Sequence, residues 1–218
     1  IDLVGYFGDW LSCRVKLEND ANLAARGEGA GGPGKAAARF MMVTLGTGIG
    51  VALLDRGVPV GVVGGTLGDI GHIIVDPAAV RACRLGCRGC LESVASGLAL
   101  TDQAEALSDR MPNSALGALR RRQRAITGGD LGRLAASGDE ATLSLLAEIA
   151  RWLGMGLATY INTFAPDVIC IGGGMSRLRP FIEDALLASA NEGKIKNRPG
   201  TEAIYFSNDY DQAAARGA

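Results

Sequence analysis

Residues 40–54, FMMVTLGTGIGVALL, place two apolar runs on either side of a glycine-rich turn. The runs predict two buried β-strands, residues 40–45 and 51–54, which the turn joins as a hairpin. Asp55-Arg56-Gly57 then predicts a second turn, leading into a third strand over residues 58–63. The stretch therefore indicates a β-meander at the start of a sheet.

A second apolar run, residues 168–171 (VICI), is followed by three glycines, a predicted helix at about 178–191 and a last strand at 203–207. Strand, glycine turn, helix and strand in this order predict a βαβ unit with a parallel sheet. Before it, Gly138-Asp139 opens a long apolar helix that ends before Pro166. The pattern as a whole predicts an α/β fold. Shorter elements are predicted as strands at 14–18 and 72–75 and as helices at 21–28 and 91–107.

The composition is that of a globular protein with little net charge. Of the 218 residues, 48% are hydrophobic, and 22 Lys and Arg face 23 Asp and Glu. This balance excludes a global basic surface for nucleic acid. No apolar run reaches the roughly 20 residues of a membrane span, and the N-terminus shows no secretion signal. Three of the five cysteines lie within eight residues, which in such a chain favours a metal site over disulfides, and we expect a cytoplasmic protein.

The segment Glu18-Asn19-Asp20-Ala21-Asn22 lies where a predicted strand meets a predicted helix. A carboxylate between amides at such a junction can hold a small polar ligand and accept the proton of its hydroxyl group. The same residue types also cap helices, so a capping role is the alternative interpretation.

Two glycine clusters are candidate nucleotide-binding turns. The first consists of Gly46, Thr47, Gly48 and Gly50, and the second of Gly172, Gly173 and Gly174. Glycines let backbone N–H groups approach phosphate oxygens, or a base or ribose, without hindrance from Cβ atoms. The first cluster is not a P-loop, since no Gly-Lys-Ser/Thr follows, and not a dinucleotide fingerprint, since a strand comes next. Plain tight turns are the alternative for both clusters.

The third candidate is a metal site. His72, the only histidine, is followed within nineteen residues by Cys83, Cys87 and Cys90. One histidine and three cysteines can form a closed tetrahedral zinc site, and free thiols on a loop are the alternative. Glu92 comes two residues after the last of these cysteines and would be held rigidly by such a site.

The order and spacing of these motifs resemble the ROK family of sugar kinases and sugar-responsive repressors, which share an actin-like, hexokinase-type (ribonuclease H-like) two-lobe fold. Residues 18–22 are similar to the family's sugar and catalytic-base motif. The turn at 46–50 is similar to its second phosphate loop, and the turn at 172–174 to its adenosine motif. Gly71-His72, together with the cysteine run and Gly89-Cys90-Leu91-Glu92, is similar to its signature. The resemblance covers the chain from residue 18 to its end.

The resemblance implies a division of the chain into two parts. Residues 1–39 would be a remnant of the N-terminal lobe with the sugar and catalytic motif, and residues 40–218 the full C-terminal lobe. The family begins with a strand that bears an Asp-x-Gly-Gly-Thr motif, which this sequence does not contain. We therefore expect that the chain starts partway through that lobe, without the Asp that positions Mg²⁺ and without the first phosphate hairpin.

The resemblance further implies ATP-dependent phosphorylation of a hexose, of the glucokinase type, with Asp20 as the general base. The implied sugar-binding residues are Asn19, Asp20, Asp69, His72 and Glu92. ATP, with Mg²⁺, would bind at Gly46, Thr47, Gly48, Gly50, Gly172, Gly173 and Gly174. A structural zinc ion would be bound by His72, Cys83, Cys87 and Cys90. The family also implies a homodimer.

Two residues depart from the family's pattern. Asp69 stands where the family usually has Glu, and Leu85 stands at the second cysteine of the family's Cys-x-Cys-Gly-x-x-Gly-Cys run, with Cys87 two residues later. A zinc site would therefore have an altered loop geometry. The alternatives to a glucokinase are an N-acetylhexosamine kinase, a sugar-sensing repressor and a truncated chain that has no activity on its own. Nucleic acid is a partner only if a DNA-binding domain lies upstream.

Overall fold

The computed structural model describes residues 1–61, 67–123, 125–198, 203–208 and 210–218. In this part of the chain one sheet contains the strands Arg39–Leu45 (β1), Ile49–Asp55 (β2), Val58–Pro59 (β3), Val168–Gly172 (β4) and Ile204–Phe206 (β5). The helices are Leu3–Leu11 (α1), Asp20–Gly31 (α2), Leu91–Ala95 (α3), Gly97–Arg110 (α4), Ala115–Arg122 (α5), Gly128–Ala136 (α6), Glu140–Phe164 (α7), Arg179–Gly193 (α8) and Tyr210–Gly217 (α9). Short 3₁₀ turns lie at Pro33–Ala36, Ile70–His72 and Gly174–Leu178.

The sheet has the strand order β3-β2-β1-β4-β5. β1 pairs antiparallel with β2 through the hairpin, and β2 pairs antiparallel with β3. On its other side β1 pairs parallel with β4, and β4 pairs parallel with β5. The predicted hairpin, the βαβ unit and the α/β fold class are confirmed. Because three adjacent strands run in parallel, their carboxyl ends meet at one edge of the sheet.

Side chains of β1 alternate between two apolar layers, as the period of a strand requires. Met41, Val43 and Leu45 belong to the larger core, which α3, α7 and α8 cover. Phe40 and Met42 belong to a smaller core on the opposite face, where α2 and α9 pack. The sheet is therefore a central layer with helices on both sides. α2, although part of the segment 1–39, packs against β1 and β2.

The long helix α7 begins and ends where the sequence predicts. The side chain of Asp139 accepts a hydrogen bond from the Thr142 N–H at 2.9 Å, which caps the first turn. At the other end Ala165 adopts a left-handed conformation with φ 46°, and Pro166 cannot continue the helix. None of the described helices combines the length and the apolar character that crossing a bilayer requires.

Two predicted strands are wrong. Residues 14–18 lie outside the regular elements, because alternation produces a strand only where another strand offers backbone partners, and the described part of the chain has none beside them. Residues 72–75 are not a strand either: the 3₁₀ turn Ile70–His72 occupies their start, and Ile74 makes only an isolated bridge to Cys90. Of the predicted third strand, residues 58–59 form β3, and residues 62–63 lie outside the described residues.

The predicted helix at 91–107 is divided in two. Ser96 leaves the helical conformation, and its side chain accepts a hydrogen bond from the Ala99 N–H at 3.1 Å, so that it caps a new helix, α4. Ser favours such N-cap positions because its hydroxyl competes with the helical backbone for hydrogen bonds. The break changes the direction of the chain directly beside the glycine turn of the hairpin, where Gly97 N–H donates to the carbonyl of Gly46 at 2.8 Å.

Candidate functional site

The turn between β1 and β2 lies at the centre of the candidate site. Gly97, the first residue of α4, donates its N–H to the carbonyl of Gly46. On the other side, Gly173 has φ +88°, and a Cβ added to it would lie 2.4 Å from the carbonyl oxygen of Leu45. Only glycine can make this approach, since the left-handed conformation and the contact both exclude a side chain. The fold thus brings the two predicted nucleotide-binding turns together.

A cavity of about 870 Å³ lies beside these turns. Its volume is in the range of small-molecule and cofactor sites. Gly46, Thr47 and Gly174 line it, as the sequence predicts for nucleotide-binding residues. Other lining residues were not predicted from the sequence, among them Gly97, Gly128, Gly129, Arg133, Arg177 and Phe181.

The remaining predicted glycines do not line this cavity but allow close packing around it. A Cβ on Gly48 would lie 2.4 Å from the Glu92 carboxylate, and one on Gly172 would lie 2.5 Å from the Met42 side chain. A Cβ on Gly50 would lie 2.5 Å from the Thr44 hydroxyl and 3.3 Å from the Cβ of Ala21. Gly50 therefore brings the hairpin close to the first turn of α2.

The first turn of α6 forms one wall of the cavity. The Thr127 hydroxyl accepts from the Asp130 N–H, and the Asp130 carboxylate accepts from the Thr127 N–H, which is a capping box. Burial raises the pKa of Asp130, but the hydrogen bonds from Thr127 and Gln123 outweigh it, so that the pKa is lowered. The signal in the sequence was Thr127-Gly128-Gly129-Asp130, a capping pattern with two glycines whose N–H groups start the helix.

The first turn of α2 carries the predicted sugar and catalytic motif. Asn19 is the N-cap, and its Oδ1 accepts from the N–H groups of Ala21 at 2.9 Å and Asn22 at 3.3 Å. The capping interpretation is therefore correct for Asn19. Asp20 follows with an exposed side chain, whose Oδ1 accepts from the Ala21 N–H at 2.8 Å. A carboxylate at this position is available to a ligand from solvent.

The side chain of Glu18 holds the first turn of α2 through hydrogen bonds. Its Oε1 accepts from the side-chain amide of Asn22 at 2.9 Å and from the Asn19 N–H at 3.1 Å. The hydrogen bond from Asn22 is the main reason that the pKa of Glu18 is lowered. The carboxylate thus holds Asn22 and the backbone of Asn19 in place. The sequence contained this residue in its motif but did not indicate this role.

His72 connects the cysteines to the hairpin through Glu92. The Nδ1 atom of His72 lies 3.5 Å from the Cys83 sulfur and 3.6 Å from the Cys90 sulfur. Its Nε2 atom lies 4.0 Å from Oε1 of Glu92. The other oxygen of Glu92, Oε2, accepts from the Ile49 N–H at 3.0 Å. Glu92 therefore lies between the histidine and the backbone of the glycine turn.

The ligand atoms of His72, Cys83 and Cys90 all lie within 4.8 Å of one another. A tetrahedral zinc ion with bonds of about 2.3 Å to sulfur and about 2.0–2.1 Å to nitrogen places these atoms about 3.6 Å apart. The His72 distances of 3.5 and 3.6 Å agree with this spacing. The nitrogen and sulfur donors are also those that zinc prefers, so the residues fit a zinc site. The group within 4.8 Å does not include Cys87, whose thiol interacts with Cys83.

The three thiols differ in acidity. Burial raises the pKa of Cys83, but hydrogen bonds from the backbone of Leu85 and Cys87 and from the neighbouring thiols lower it to about 7. Burial raises the pKa of Cys87 and of Cys90, each with a further contribution from Cys83. Zinc binds thiolates, and Cys83 is therefore the sulfur that most readily takes the charged form.

Asp69 lies at the start of the 3₁₀ turn that carries His72. Its carbonyl accepts from the His72 N–H at 2.9 Å, and its side chain is exposed. Asp69 and His72 are thus neighbours on one turn. A second cavity, of about 640 Å³, is lined by Thr47, Gly48, His72 and Glu92 and also by Arg81 and Asp102. The predicted residues His72 and Glu92 therefore face a cavity that also reaches the glycine turn.

Comparison with known proteins identifies a matching family and several similar proteins. The sequence model of the ROK family matches residues 1–218. Glucokinase from Halalkalibacterium halodurans is 36% identical over 163 residues, which are 75% of this chain and 49% of that protein. Glucokinases from Thermotoga maritima and Streptomyces coelicolor are 30% and 34% identical, and 64% and 56% of their lengths are covered. The chain thus spans about half to two thirds of the length of these curated relatives.

Solved structures of this family share the fold. The crystal structure of a ROK family glucokinase from Streptomyces griseus, in complex with glucose and AMPPNP, has a TM-score of 0.86 at 30% identity, covering 99% of this chain and 70% of that one. A ROK family transcriptional regulator, a homologue of the Escherichia coli Mlc protein, also has a TM-score of 0.86, at 26% identity, covering 99% of this chain and 53% of that one. The family model matches this chain over residues 1–218. The chain therefore belongs to the ROK family and has its actin-like, hexokinase-type fold.

Proposed function

We propose that the protein transfers the γ-phosphoryl group of ATP to a hydroxyl group of a hexose, as a glucokinase does. One observation carries this proposal: the sugar-side residues and the nucleotide-side turns converge on the hairpin between β1 and β2. Glu92 is hydrogen-bonded to Ile49 on one side of the turn, and Gly97 to Gly46 on the other. These contacts support phosphoryl transfer, which requires the acceptor and the donor to meet in line.

The hexose would be held by Asn19, Asp69, His72 and Glu92. A carboxylate accepts hydrogen bonds from ring hydroxyls, and an amide or imidazole can donate to them. His72 and Glu92 line one cavity, and Asp69 lies on the same 3₁₀ turn as His72. When a sugar lacks one of these hydroxyls, a carboxylate or amide of the site would be left without its hydrogen-bond partner. The cost of that unpaired group would discriminate between sugars.

Asp20 would act as the general base. Its exposed carboxylate accepts the proton of the attacking hydroxyl, the hydroxyl oxygen bonds to the γ-phosphorus, and the bond to the β-phosphate oxygen breaks so that ADP leaves. The next residue of the first helical turn, Ala21, lies close to Gly50 of the hairpin, which supports this role.

ATP would occupy the cavity of about 870 Å³. The N–H group of Thr47 and the first turn of α6 offer donors to phosphate oxygens, and Gly174 leaves room for the adenosine. ATP would contact Gly48, Gly50, Gly172 and Gly173 through their backbone atoms, in the conformations that these glycines allow. Mg²⁺ would accompany ATP and neutralise charge on its phosphates.

Zinc would be bound by His72, Cys83, Cys87 and Cys90, with Cys87 completing the group formed by the other three. Bound through Nδ1, the ion would fix the ring of His72 and leave Nε2 directed towards Glu92 and the sugar. The metal is thus a structural support for a sugar-binding residue. It takes no part in the transfer itself.

Two further statements rest on the family resemblance. Residues 1–39 would contribute to the N-terminal lobe and residues 40–218 would form the C-terminal lobe, and the protein would be a homodimer. Light scattering at micromolar concentration tests the second statement, since a monomer would contradict it.

The central test is Asp20→Asn, with Asp55→Asn as its control. Asp55 is also exposed but lies at the far end of β2 from the glycine turn. In the full-length protein, Asp20→Asn keeps the shape of the side chain but removes the base, and it should lower turnover about 10²–10⁴-fold while glucose affinity changes much less. Coupled-enzyme kinetics and calorimetry measure the two quantities. Wild-type turnover in Asp20→Asn would contradict the mechanism.

Two alternative functions can be distinguished from a glucokinase by experiment. An N-acetylhexosamine kinase would phosphorylate N-acetylglucosamine or N-acetylmannosamine with a higher kcat/KM than glucose, and the same kinetic assay decides this. A sugar-sensing repressor is the second alternative, because the transcriptional regulator has the same TM-score, 0.86, as the glucokinase. A full-length wild-type protein that binds hexose but transfers no phosphate would support the repressor and overturn the kinase.

A further inference from the structure

Tyr160 lies on α7 in the middle of the larger core, and its side chain is fully buried. Burial raises the pKa of its hydroxyl well above the usual value, so the hydroxyl keeps its proton and acts as a donor. It donates to the carbonyl of Ile70 at 2.8 Å, across 90 positions of sequence. Ile70 is the first residue of the 3₁₀ turn Ile70–His72.

The turn is held on its other side by the hairpin. A Cβ on Gly71 would lie 2.2 Å from the carbonyl oxygen of Ile49, so the turn lies directly against the first residue of β2. Ile49 also donates its N–H to Glu92, and Glu92 lies 4.0 Å from Nε2 of His72. Tyr160 therefore contacts the turn, the turn contacts the hairpin, and the hairpin is connected through Glu92 to the side chain of His72.

A turn of three residues contains few hydrogen bonds of its own. Within it the His72 N–H donates to Asp69, and the Ile73 N–H donates to Ile70 at a longer 3.3 Å. The Ile70 carbonyl thus accepts two hydrogen bonds, and the shorter one, from the Tyr160 hydroxyl, is the one that connects the turn to α7. Because Asp69 and His72 lie on this turn, its displacement would move both of them.

We propose that Tyr160 is a positioning residue, whose buried hydroxyl holds the 3₁₀ turn at 70–72 so that Asp69 and His72 meet the hexose and His72 meets the metal. The inference rests on the proposed function for the identity of the ligand. The hydrogen bond itself does not depend on it. Tyr160 touches neither sugar nor nucleotide in this scheme and acts only through the turn.

The test compares Tyr160→Phe with Thr142→Val. Both substitutions delete one buried hydroxyl from α7 and keep the size of the side chain, and the Thr142 hydroxyl donates to Asp139 at 2.6 Å. Thr142 lies 18 positions away along the helix, about 27 Å at about 1.5 Å per residue. It therefore reports the loss of stability that such a deletion causes without touching the turn.

Hydrogen–deuterium exchange provides a readout that needs no ligand. Tyr160→Phe should make the amides of residues 67–75 exchange about three- to tenfold faster, and it should weaken glucose binding in calorimetry by a similar factor. Zinc should also leave more quickly in the presence of a chromogenic chelator. Thr142→Val should lower the thermal midpoint comparably but leave these three quantities within twofold of wild type.

Two results would overturn the proposal. Unchanged exchange in residues 67–75 would show that the hydroxyl does not hold the turn, even if glucose binding weakened. Faster exchange with unchanged glucose affinity would show that the turn moves without effect on the sugar. If the wild type binds no glucose at all, the proposed function fails, and the rate of zinc release then decides the proposal on Tyr160 in the same way.

Discussion

Glu92 shows how one side chain can serve two neighbours. One of its oxygens faces His72 and the other accepts from Ile49. The sequence could predict that the residue belongs to the site, because it follows the cysteine run by two positions. It could not predict the bond to Ile49, since that contact joins residues 43 positions apart and depends on how α3 approaches the hairpin.

The metal site gives a prediction at the level of single residues. The protein should contain about one zinc ion per chain, and Cys83→Ser should remove most of it, because this sulfur lies next to His72 and most readily forms a thiolate. Elemental analysis of purified protein measures the metal content. Cys13→Ser is the control, since that cysteine is exposed and lies outside the group. A wild-type protein without zinc, in which all three thiols of the loop titrate freely, would remove the assignment.

The elements around the site were predicted with unequal success, and the reason lies in their partners. The runs of β1, β2 and β4 are short, apolar and flanked by turn residues, the run of α7 is long, and all four elements are confirmed. Residues 14–18 alternate as well, but alternation alone does not supply a neighbouring strand. The cavity wall formed by α6 was missed, because Thr127-Gly128-Gly129-Asp130 lies in a polar stretch with little periodicity.

Asp130 should stabilise the first turn of α6 in a pH-dependent manner. Its pKa is lowered in the folded protein, so its contribution is present above the unfolded value, near 3.8, and is lost as the pH falls through the lower folded value. Asp130→Asn should therefore cost about 1–2 kcal/mol at pH 7 in urea unfolding, and the difference from wild type should shrink below about pH 4. Asp109→Asn, on the exposed side of α4, should cost little at either pH. A difference that stays constant with pH would contradict the assignment.

A buried carboxylate joins three elements on the smaller core face. Oε1 of Glu28 on α2 accepts from the Ser207 hydroxyl at 2.7 Å, directly after β5, and from Arg216 on α9 at 3.1 Å. Glu28→Ala should lower the free energy of unfolding by at least about 2 kcal/mol, because it leaves both partners without this acceptor.

The matched control for Glu28→Ala is Glu183→Ala. Glu183 also pairs with an arginine, Arg179, at 2.8 Å, but this pair lies on the surface of α8. Its loss should cost less than about 1 kcal/mol. Equal costs in chemical denaturation would show that the Glu28 cluster contributes no more than a surface pair.

For the molecule as a whole, the order of the strands explains why both proposed ligand sites adjoin one hairpin. β1 is the central strand in the order β3-β2-β1-β4-β5. The turn that leads into β2 begins at the carboxyl end of β1, and the turn that follows β4 lies beside it. The sequence predicted each turn separately, and their meeting follows from the parallel pairing of β1 with β4. Residues of α2, α3 and α4 then reach the same hairpin from three directions.

This shared hairpin predicts that the two ligands bind cooperatively. Glucose on the Glu92 side should order the backbone at Ile49, which continues into the turn at 46–48 beside the proposed nucleotide cavity. The affinity for AMPPNP should therefore rise about fivefold or more when glucose is saturating, and glucose affinity must rise by the same factor with AMPPNP, because coupling is reciprocal.

Substitutions at Glu92 locate the coupling. Glu92→Ala removes the acceptor for the Ile49 N–H and should bring the coupling factor close to one, whereas Glu92→Gln keeps an oxygen there and should retain part of it. Glu105→Ala is the control, since Glu105 on α4 pairs with Arg120, away from the hairpin. Calorimetric titrations of each ligand with and without the other give the factor for every variant. If the wild type binds AMPPNP equally well with and without glucose, the two sites are independent, and the hairpin only holds them side by side.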